Sequence, residues 1–294
     1  MLRIASRGSE LALWQANHVA SLLRPTFDRD VEVVVISTAG DRNRDVPIAQ
    51  IGGRGVFTKE VQAAVLDGRA DLAVHSAKDL PSSPELQPPG LVLACVPERA
   101  DARDALVGST LDALGPGATV ATGSVRRRAQ LADRRPDLTF TELRGNMDTR
   151  VSKVPPGGAV VVAYAALQRL GWLSLIAEVL STTVVLPQVG QGALAIECRA
   201  GDDATLAALA AIEHEPSRRC VDAERSWLAT LGGGCDLPAG AHCTPDGRLR
   251  AVLASFDGRI VLRDELDGYD GALLATRMLD SGGSHLLAEN GVVR

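Results

Sequence analysis

The chain has 294 residues, 46% of them hydrophobic, enough to bury a substantial core and to build two or three domains. Its net charge of -5 and aromatic content of 3% leave neither a phosphate-neutralising surface nor base-stacking platforms, which sets nucleic acid aside as a partner. No apolar run approaches the roughly 20 residues of a membrane span. The 5 cysteines (Cys95, Cys198, Cys220, Cys235, Cys243) are odd in number and lack paired short spacing, so they fit neither a disulfide scaffold nor a zinc site. The chain opens with Leu2-Arg3-Ile4-Ala5, which reads as strand and not as signal peptide, and the expected compartment is the cytoplasm.

The first half alternates strand and helix. Leu2 to Ser6 is a short apolar run ending in a turn, and Glu10 to Arg24 carries apolar residues at helical spacing. Val31 to Ser37 is a continuous β-branched run, the pattern of a strand covered on both faces. Phe57 to Gly68 reads as a helix closed by glycine, and Asp71 to His75 as a strand. Ser76-Ala77-Lys78-Asp79 follows that strand's C-terminal end, the edge where open α/β sheets bind ligands. A second α/β unit begins near Arg99. Ala118 to Thr122 is its strand, and Ser124 is placed to cap a helix bearing Arg126, Arg127 and Arg128. Leu138 to Leu143 and Val160 to Ala163 are further strands, followed by Arg144-Gly145-Asn146 and, later, Arg169. Leu186 to Glu197 reads as a strand with a turn at Gly190-Gln191-Gly192 that returns the chain to the first domain. After about residue 215 the pattern becomes α+β. A helix from Ser217 to Leu231 ends in Gly232-Gly233-Gly234 before Cys235, a hairpin turns at Asp257-Gly258, and a helix runs from Leu273 to Leu287. The domains expected are therefore 1–95 with 190–212, 99–187, and 215–294.

Lysine occurs only at 59, 78 and 153, so nearly all the positive charge is guanidinium. The arginines gather at turns: around Arg7, in Thr122-Gly123-Ser124-Val125-Arg126-Arg127-Arg128, and in Arg144-Gly145-Asn146-Met147-Asp148-Thr149-Arg150. A planar fork of donors matches carboxylate or phosphate in a bidentate way, and a capped helix start adds an anion site of its own. An acidic protein built this way holds a small polyanion. Asp79, a carboxylate set among cations, suits a reaction in which positive charge develops on an anionic substrate. Cys235, after three glycines, suits a reactive thiol or an attachment point, whereas the other four cysteines and His75 read as structural. Gly52-Gly53-Arg54-Gly55 lacks the Lys-Ser/Thr ending of a phosphate loop and reads as a mobile loop near the ligand, with Phe57 just beyond it.

Val74-His75-Ser76-Ala77-Lys78-Asp79-Leu80-Pro81, Gly-Ser-Val-Arg-Arg, Leu143-Arg144-Gly145-Asn146 with Thr149-Arg150, and Gly233-Gly234-Cys235 with Pro238 and Gly240 stand in an order that resembles the porphobilinogen deaminase (hydroxymethylbilane synthase) family from Leu2 to about Gly240. The resemblance implies two α/β domains like type II periplasmic binding proteins, with the active cleft between them, and a small α+β domain bearing a cysteine. It implies a monomeric transferase of tetrapyrrole biosynthesis whose Cys235 carries a dipyrromethane cofactor through a thioether. Four porphobilinogen molecules are added to that primer with loss of ammonia, and water then releases hydroxymethylbilane. It implies catalysis by Asp79, cofactor binding by Ser76, Lys78, Thr122, Ser124, Arg126, Arg127, Arg144 and Gly145, and substrate binding by Arg7, Gln15, Arg144, Arg150 and Arg169. Arg54 and Phe57 fall in the flexible loop, and no metal is implied. Arg128, Arg134, Arg135, Arg218 and Arg219 are left as solvated helix charge. Gln50 and Arg54 depart from residues common in relatives, and Ala241-His242-Cys243 lacks a tyrosine often seen there. Two other readings stand beside this one: a carboxylate-binding protein without catalysis, which needs neither Asp79 nor Cys235, and a hydrolase using Cys235 as nucleophile.

Overall fold

A computed structural model of the chain describes residues 1–25, 30–38, 58–232, 234 and 237–291. They fall into two compact units, Met1–Arg99 with Ala193–Arg218, and Ala100–Gly192 with Arg219–Arg294.

The first unit opens with strand β1 (Leu2–Arg7), helix α1 (Glu10–Leu23) and strand β2 (Val31–Ile36). Ser9 starts α1 by accepting a hydrogen bond from the Ala12 amide, and the helix buries Ala16, Val19, Ala20 and Leu23, one apolar stripe at helical spacing. Helix α2 (Lys59–Leu66), strand β3 (Leu72–Ser76) and strand β4 (Leu91–Cys95) follow. β1 pairs in parallel with both β2 and β3. Ile4, Leu23, Leu72, Ile196 and Leu209 are fully buried in the core beneath α1, each contributing about 1.5–3 kcal/mol by leaving water. The β-branched run at 31–36 forms an edge strand and is not covered on both faces: Val35 is 57% exposed. Branching at Cβ favours extended backbone wherever the strand lies, so the run signalled strand but not burial.

The second unit holds β5 (Asp104–Val107), β6 (Thr119–Ala121), helix α3 (Val125–Arg134), β7 (Thr139–Thr141), α4 (Met147–Val151), β8 (Ala159–Ala163), α5 (Tyr164–Arg169) and β9 (Ile176–Val179). The chain then re-enters the first unit as β10 (Leu194–Arg199) and α6 (Asp203–Ala210). The strand orders are β2-β1-β3-β10-β4 and β7-β6-β8-β5-β9. In each sheet three parallel strands are followed by an antiparallel one, β10 or β5. Two sheets of one topology give the two similar α/β domains that the resemblance implies. Only residues from Leu194 onward are strand in the segment expected to be extended from Leu186.

Helix α7 (Glu215–Leu231) passes from the first unit into the second. The second unit then adds an antiparallel sheet of β11 (Ala239–Cys243), β12 (Arg248–Ala254) and β13 (Val261–Asp267). Trp227, Leu231, Leu249, Leu253 and Leu274 form its core. The single helix expected to the C-terminus is two, α8 (Gly271–Met278) and α9 (Ser284–Glu289), because Gly282 takes a φ of 106° that ordinary helix excludes.

Candidate active site

In the first unit the predicted residues gather at the C-terminal edge of the parallel strands. β1 ends at Arg7 and β3 ends at Ser76. Gln15, buried on α1, donates from Nε2 to the Ser76 hydroxyl at 2.9 Å, so one substrate-binding and one cofactor-binding candidate are already joined. Beyond Ser76 the chain makes a 3-10 turn over Ala77–Asp79, with Ala77 donating its amide to the Ala193 carbonyl. Ala77 and Leu80 are buried, Lys78 is half-buried and Asp79 is exposed. Two apolar anchors thus hold a turn whose intervening charges point away from the core. Beneath it, His75 Nε2 lies 3.1 Å from Glu197, and Gln62 donates to the same carboxylate oxygen at 2.9 Å. His75 is 6% exposed, in keeping with a structural role.

In the second unit the candidate anion site is the start of α3. Ser124 caps the helix by accepting from the Arg127 amide at 3.4 Å, and Thr122 accepts from the Ser124 amide at 3.2 Å. Arg126 and Arg127 are buried, and their forks hold the protein's own Asp104. Arg126 Nη2 donates to one carboxylate oxygen at 2.8 Å, and Arg127 donates to the other from Nε at 3.0 Å and Nη2 at 2.7 Å. Burial alone would raise the Asp104 carboxyl, but the charges of Arg126 and Arg127 override it and hold the group well below the usual carboxylate range. Arg144 is exposed, with its Nε 3.7 Å from Glu142. Gly145 has a φ of 112°, and an added Cβ would lie 2.7 Å from Thr149, so the turn demands glycine. Arg150 donates from Nε to the Gly145 carbonyl at 2.9 Å, tying α4 back onto the turn before it. Arg169 donates to the Gly192 carbonyl at 2.7 Å, and burial pushes its guanidinium down to about 10. A cation already stripped of water gains more from an arriving carboxylate than an exposed one.

Three arginines expected as solvated helix charge have partners. Arg135 pairs with Asp137 and donates to the carbonyls of Leu111 and Leu114. Arg218 pairs with Glu213 and donates to the Leu93 carbonyl, and Arg219 lies over the Tyr269 ring at 5.0 Å. Each reaches a neighbour distant in sequence, which a helical pattern does not reveal. Arg128 and Arg134 are exposed, as expected. Cys95, Cys198, Cys220 and Cys243 are buried, and burial pushes the Cys198 thiol up to about 11. Gln50, Arg54, Phe57 and Cys235 lie outside the described residues. Among the described residues no helix is long and apolar enough to cross a membrane, and no cluster of three metal-ligating side chains occurs.

Residues 2–207 match the family model for the porphobilinogen deaminase dipyromethane cofactor binding domain, and 218–279 match that for the porphobilinogen deaminase C-terminal domain. The chain belongs to the porphobilinogen deaminase family. Curated porphobilinogen deaminases agree along its length. That of Syntrophus aciditrophicus is 44% identical, covering 97% of each chain. That of Nitratidesulfovibrio vulgaris (strain DSM 19637) is 46% identical over 98% of this chain and 96% of the relative. Among solved structures, the methionine-binding protein MetQ is 12% identical with a TM-score of 0.45, over 72% of this chain and 87% of that one. Family membership makes the chain a transferase of tetrapyrrole biosynthesis with a dipyrromethane cofactor.

The residues present fit that group. Every pyrrole ring of a dipyrromethane carries two carboxylates, and each unit offers cationic or capped-helix partners for them: Arg7 and Lys78 in one, the α3 start and Arg169 in the other. Sequence reasoning missed Asp104, Gln191 and Glu224. Gln191 donates to Asp104 at 2.8 Å, and Glu224 accepts the amides of Gly190 and Cys243, both at 2.8 Å. The available signal was a lone acidic residue heading the buried run Asp104-Ala105-Leu106-Val107.

Proposed function

We propose that this chain condenses four porphobilinogen molecules, with loss of ammonia, onto a dipyrromethane held by Cys235, and releases hydroxymethylbilane by hydrolysis. The observation that supports it best is the joined Gln15–Ser76 pair beside Lys78 and Asp79 at the β3 end, inside the stretch matched to the cofactor-binding domain. When bound, the cofactor supplies the carbon nucleophile. The chain's own residues bind, orient and stabilise charge. Arg7, Gln15, Arg144, Arg150 and Arg169 take the acetate and propionate groups of the substrate. Ser76, Lys78, Thr122, Ser124 and the Arg144-Gly145 backbone hold those of the cofactor, with Arg126 and Arg127 adding positive potential from beneath the α3 start. Asp79, exposed at its turn, accepts hydrogen bonds from pyrrole N–H groups and stabilises the positive charge that develops as ammonia leaves. The protein acts in the cytoplasm as a monomer.

Intact-mass measurement tests the reading. The purified chain should exceed its sequence mass by two pyrrole units, and Cys235→Ser should remove the excess together with porphobilinogen turnover. A chain of unmodified mass that only binds carboxylates would favour the non-catalytic alternative. Rapid alkylation of Cys235 in the purified protein would favour the thiol hydrolase.

A further inference from the structure

We propose that Asp104, tethered by Gln191, is the positioning residue that sets the α3 start as a carboxylate site. The proposal rests on the cofactor reading above. It begins with register. Asp104 is the first residue of β5 and lies opposite Ala163, the last residue of β8, so its carboxylate sits at the C-terminal edge of the parallel strands. Asp104 is fully buried, yet every bond to its carboxylate comes from a segment of the predicted site or from the return segment. Arg126 takes Oδ2, while Arg127 and Gln191 share Oδ1.

The arginines are fixed from several directions. Arg126 Nη1 also donates to the Leu186 carbonyl, and Arg127 Nη1 to the Val161 carbonyl. The Arg127 main chain is meanwhile bonded to the Ser124 hydroxyl. Arg127 therefore joins Asp104 through its side chain to the helix cap through its backbone. A shift of the carboxylate moves the cap, and with it the amides that an anion at the α3 start would meet. Gln191 limits such a shift because Nε2 also donates to the Ala102 carbonyl at 2.7 Å, two residues before Asp104.

The charge count gives this geometry a purpose. Two buried guanidinium groups face one buried carboxylate, leaving an excess positive charge under the α3 start. Arg126 Nε is buried with no hydrogen-bond partner, so the cluster is not internally satisfied. Buried charge of one sign is costly alone and favours a counter-ion nearby. The carboxylates of a pyrrole chain are ions of that kind. Asp104 neutralises one guanidinium, aims both, and leaves the remaining charge for the ligand.

Two variants keep the cluster's charge and alter only its geometry: Asp104→Glu, which adds one methylene, and Gln191→Met, which removes the tether at similar volume. Three quantities are measured: melting temperature, the fraction of molecules carrying the two-pyrrole excess mass, and KM and kcat for porphobilinogen in the arm-bearing fraction. Expected for Asp104→Glu is at least a threefold fall in the arm-bearing fraction, with KM raised about tenfold and kcat within threefold of the parent. Gln191→Met should shift the same quantities in the same direction by about threefold, and it decides the matter alone where Asp104→Glu does not fold. Full arm occupancy and KM within a factor of 1.5 of the parent in the folded variants, whatever the melting temperature does, would overturn the proposal and leave Asp104 a structural residue. A parent chain that lacks the excess mass would instead overturn the cofactor reading itself.

Discussion

Asp79→Asn separates catalysis from folding more cleanly than any other substitution in the first unit. Asp79 is exposed at the end of its 3-10 turn, and its carboxylate has no hydrogen bond or ion pair with another described residue. The turn is held by other groups: the buried side chains of Ala77 and Leu80, the Ala77 amide on the Ala193 carbonyl, and the Leu80 amide on the Ala77 carbonyl. Asparagine matches aspartate in shape and disturbs none of these. Stability should therefore change by less than about 0.5 kcal/mol, a shift of roughly 2 °C or less in melting temperature. Catalysis should respond very differently. Removing a full charge aimed at developing opposite charge costs about 2.7–4 kcal/mol, or a factor of about 100–1000 in kcat. The assay pairs calorimetry and intact mass with the rate of porphobilinogen consumption. Normal melting, a retained arm and kcat reduced at least a hundredfold are expected. Turnover within about threefold of the parent would refute the assigned role, and a large loss of melting temperature would refute the reading of the turn.

Other consequences concern the second unit. Glu224→Gln keeps volume but leaves one of two buried amides, Gly190 or Cys243, facing an NH2 group; a loss of about 1.5–3 kcal/mol is expected, read as a lower urea midpoint, and an unchanged midpoint would show that the pin is dispensable. Gly271→Ala would ordinarily favour a helix by about 1 kcal/mol. Here its Cβ would lie 2.0 Å from the Ala223 carbonyl oxygen and 2.6 Å from the Trp227 amide, so α8 must part from α7 and net destabilisation of about 1–3 kcal/mol is expected on calorimetry. Asp104 makes acid stability informative. A carboxyl held below its unfolded value of about 3.9 contributes stability that is complete above that pH and is lost as pH falls toward the folded value. Urea midpoints measured from pH 7 down to pH 3 should decline less steeply at the acid end in Asp104→Asn than in the parent, and parallel curves would remove Asp104 from the acid response.

The candidate site's edge was legible in the sequence because short-range rules govern it. Ser124 was readable as a cap from its place before the arginine-rich run, and it does cap. Ser76, Lys78 and Asp79 were readable as a post-strand turn for the same reason. What stayed hidden is set by partners far along the chain. Arg126 and Arg127 were read as partners for a ligand's carboxylates, and nothing local says that Asp104, 22 and 23 residues earlier, also lies against them. β4, β5, β9 and β11 are four or five residues long, too short for a period to declare itself beside longer apolar runs. β2 shows the converse: a strong strand signal at an edge, where propensity persists and burial does not.

The shared topology of the two sheets explains why a buried carboxylate recurs beside each candidate site with a different partner. β1 leads to a Ser9-capped helix and β6 to a Ser124-capped helix, so each sheet contains the same capped strand-to-helix turn. Each sheet also sets an antiparallel strand beside its third parallel one, and each such strand carries an acidic residue: Glu197 in β10, Asp104 in β5. Their heights differ. Glu197 lies opposite Ala73, within β3, and is met by His75 and Gln62, which bring at most one positive charge. Asp104 lies at the strand edge and is met by two guanidinium groups. A carboxylate deep in a sheet can be matched by a histidine and an amide with little consequence at the surface. One at the edge, outnumbered by cations, leaves positive potential at the helix start. The proposed function therefore divides the work unequally between the two units. It assigns the exposed carboxylate of Asp79, in the first, to a developing cation, and the surplus positive charge of the second to carboxylates that accumulate as the pyrrole chain grows.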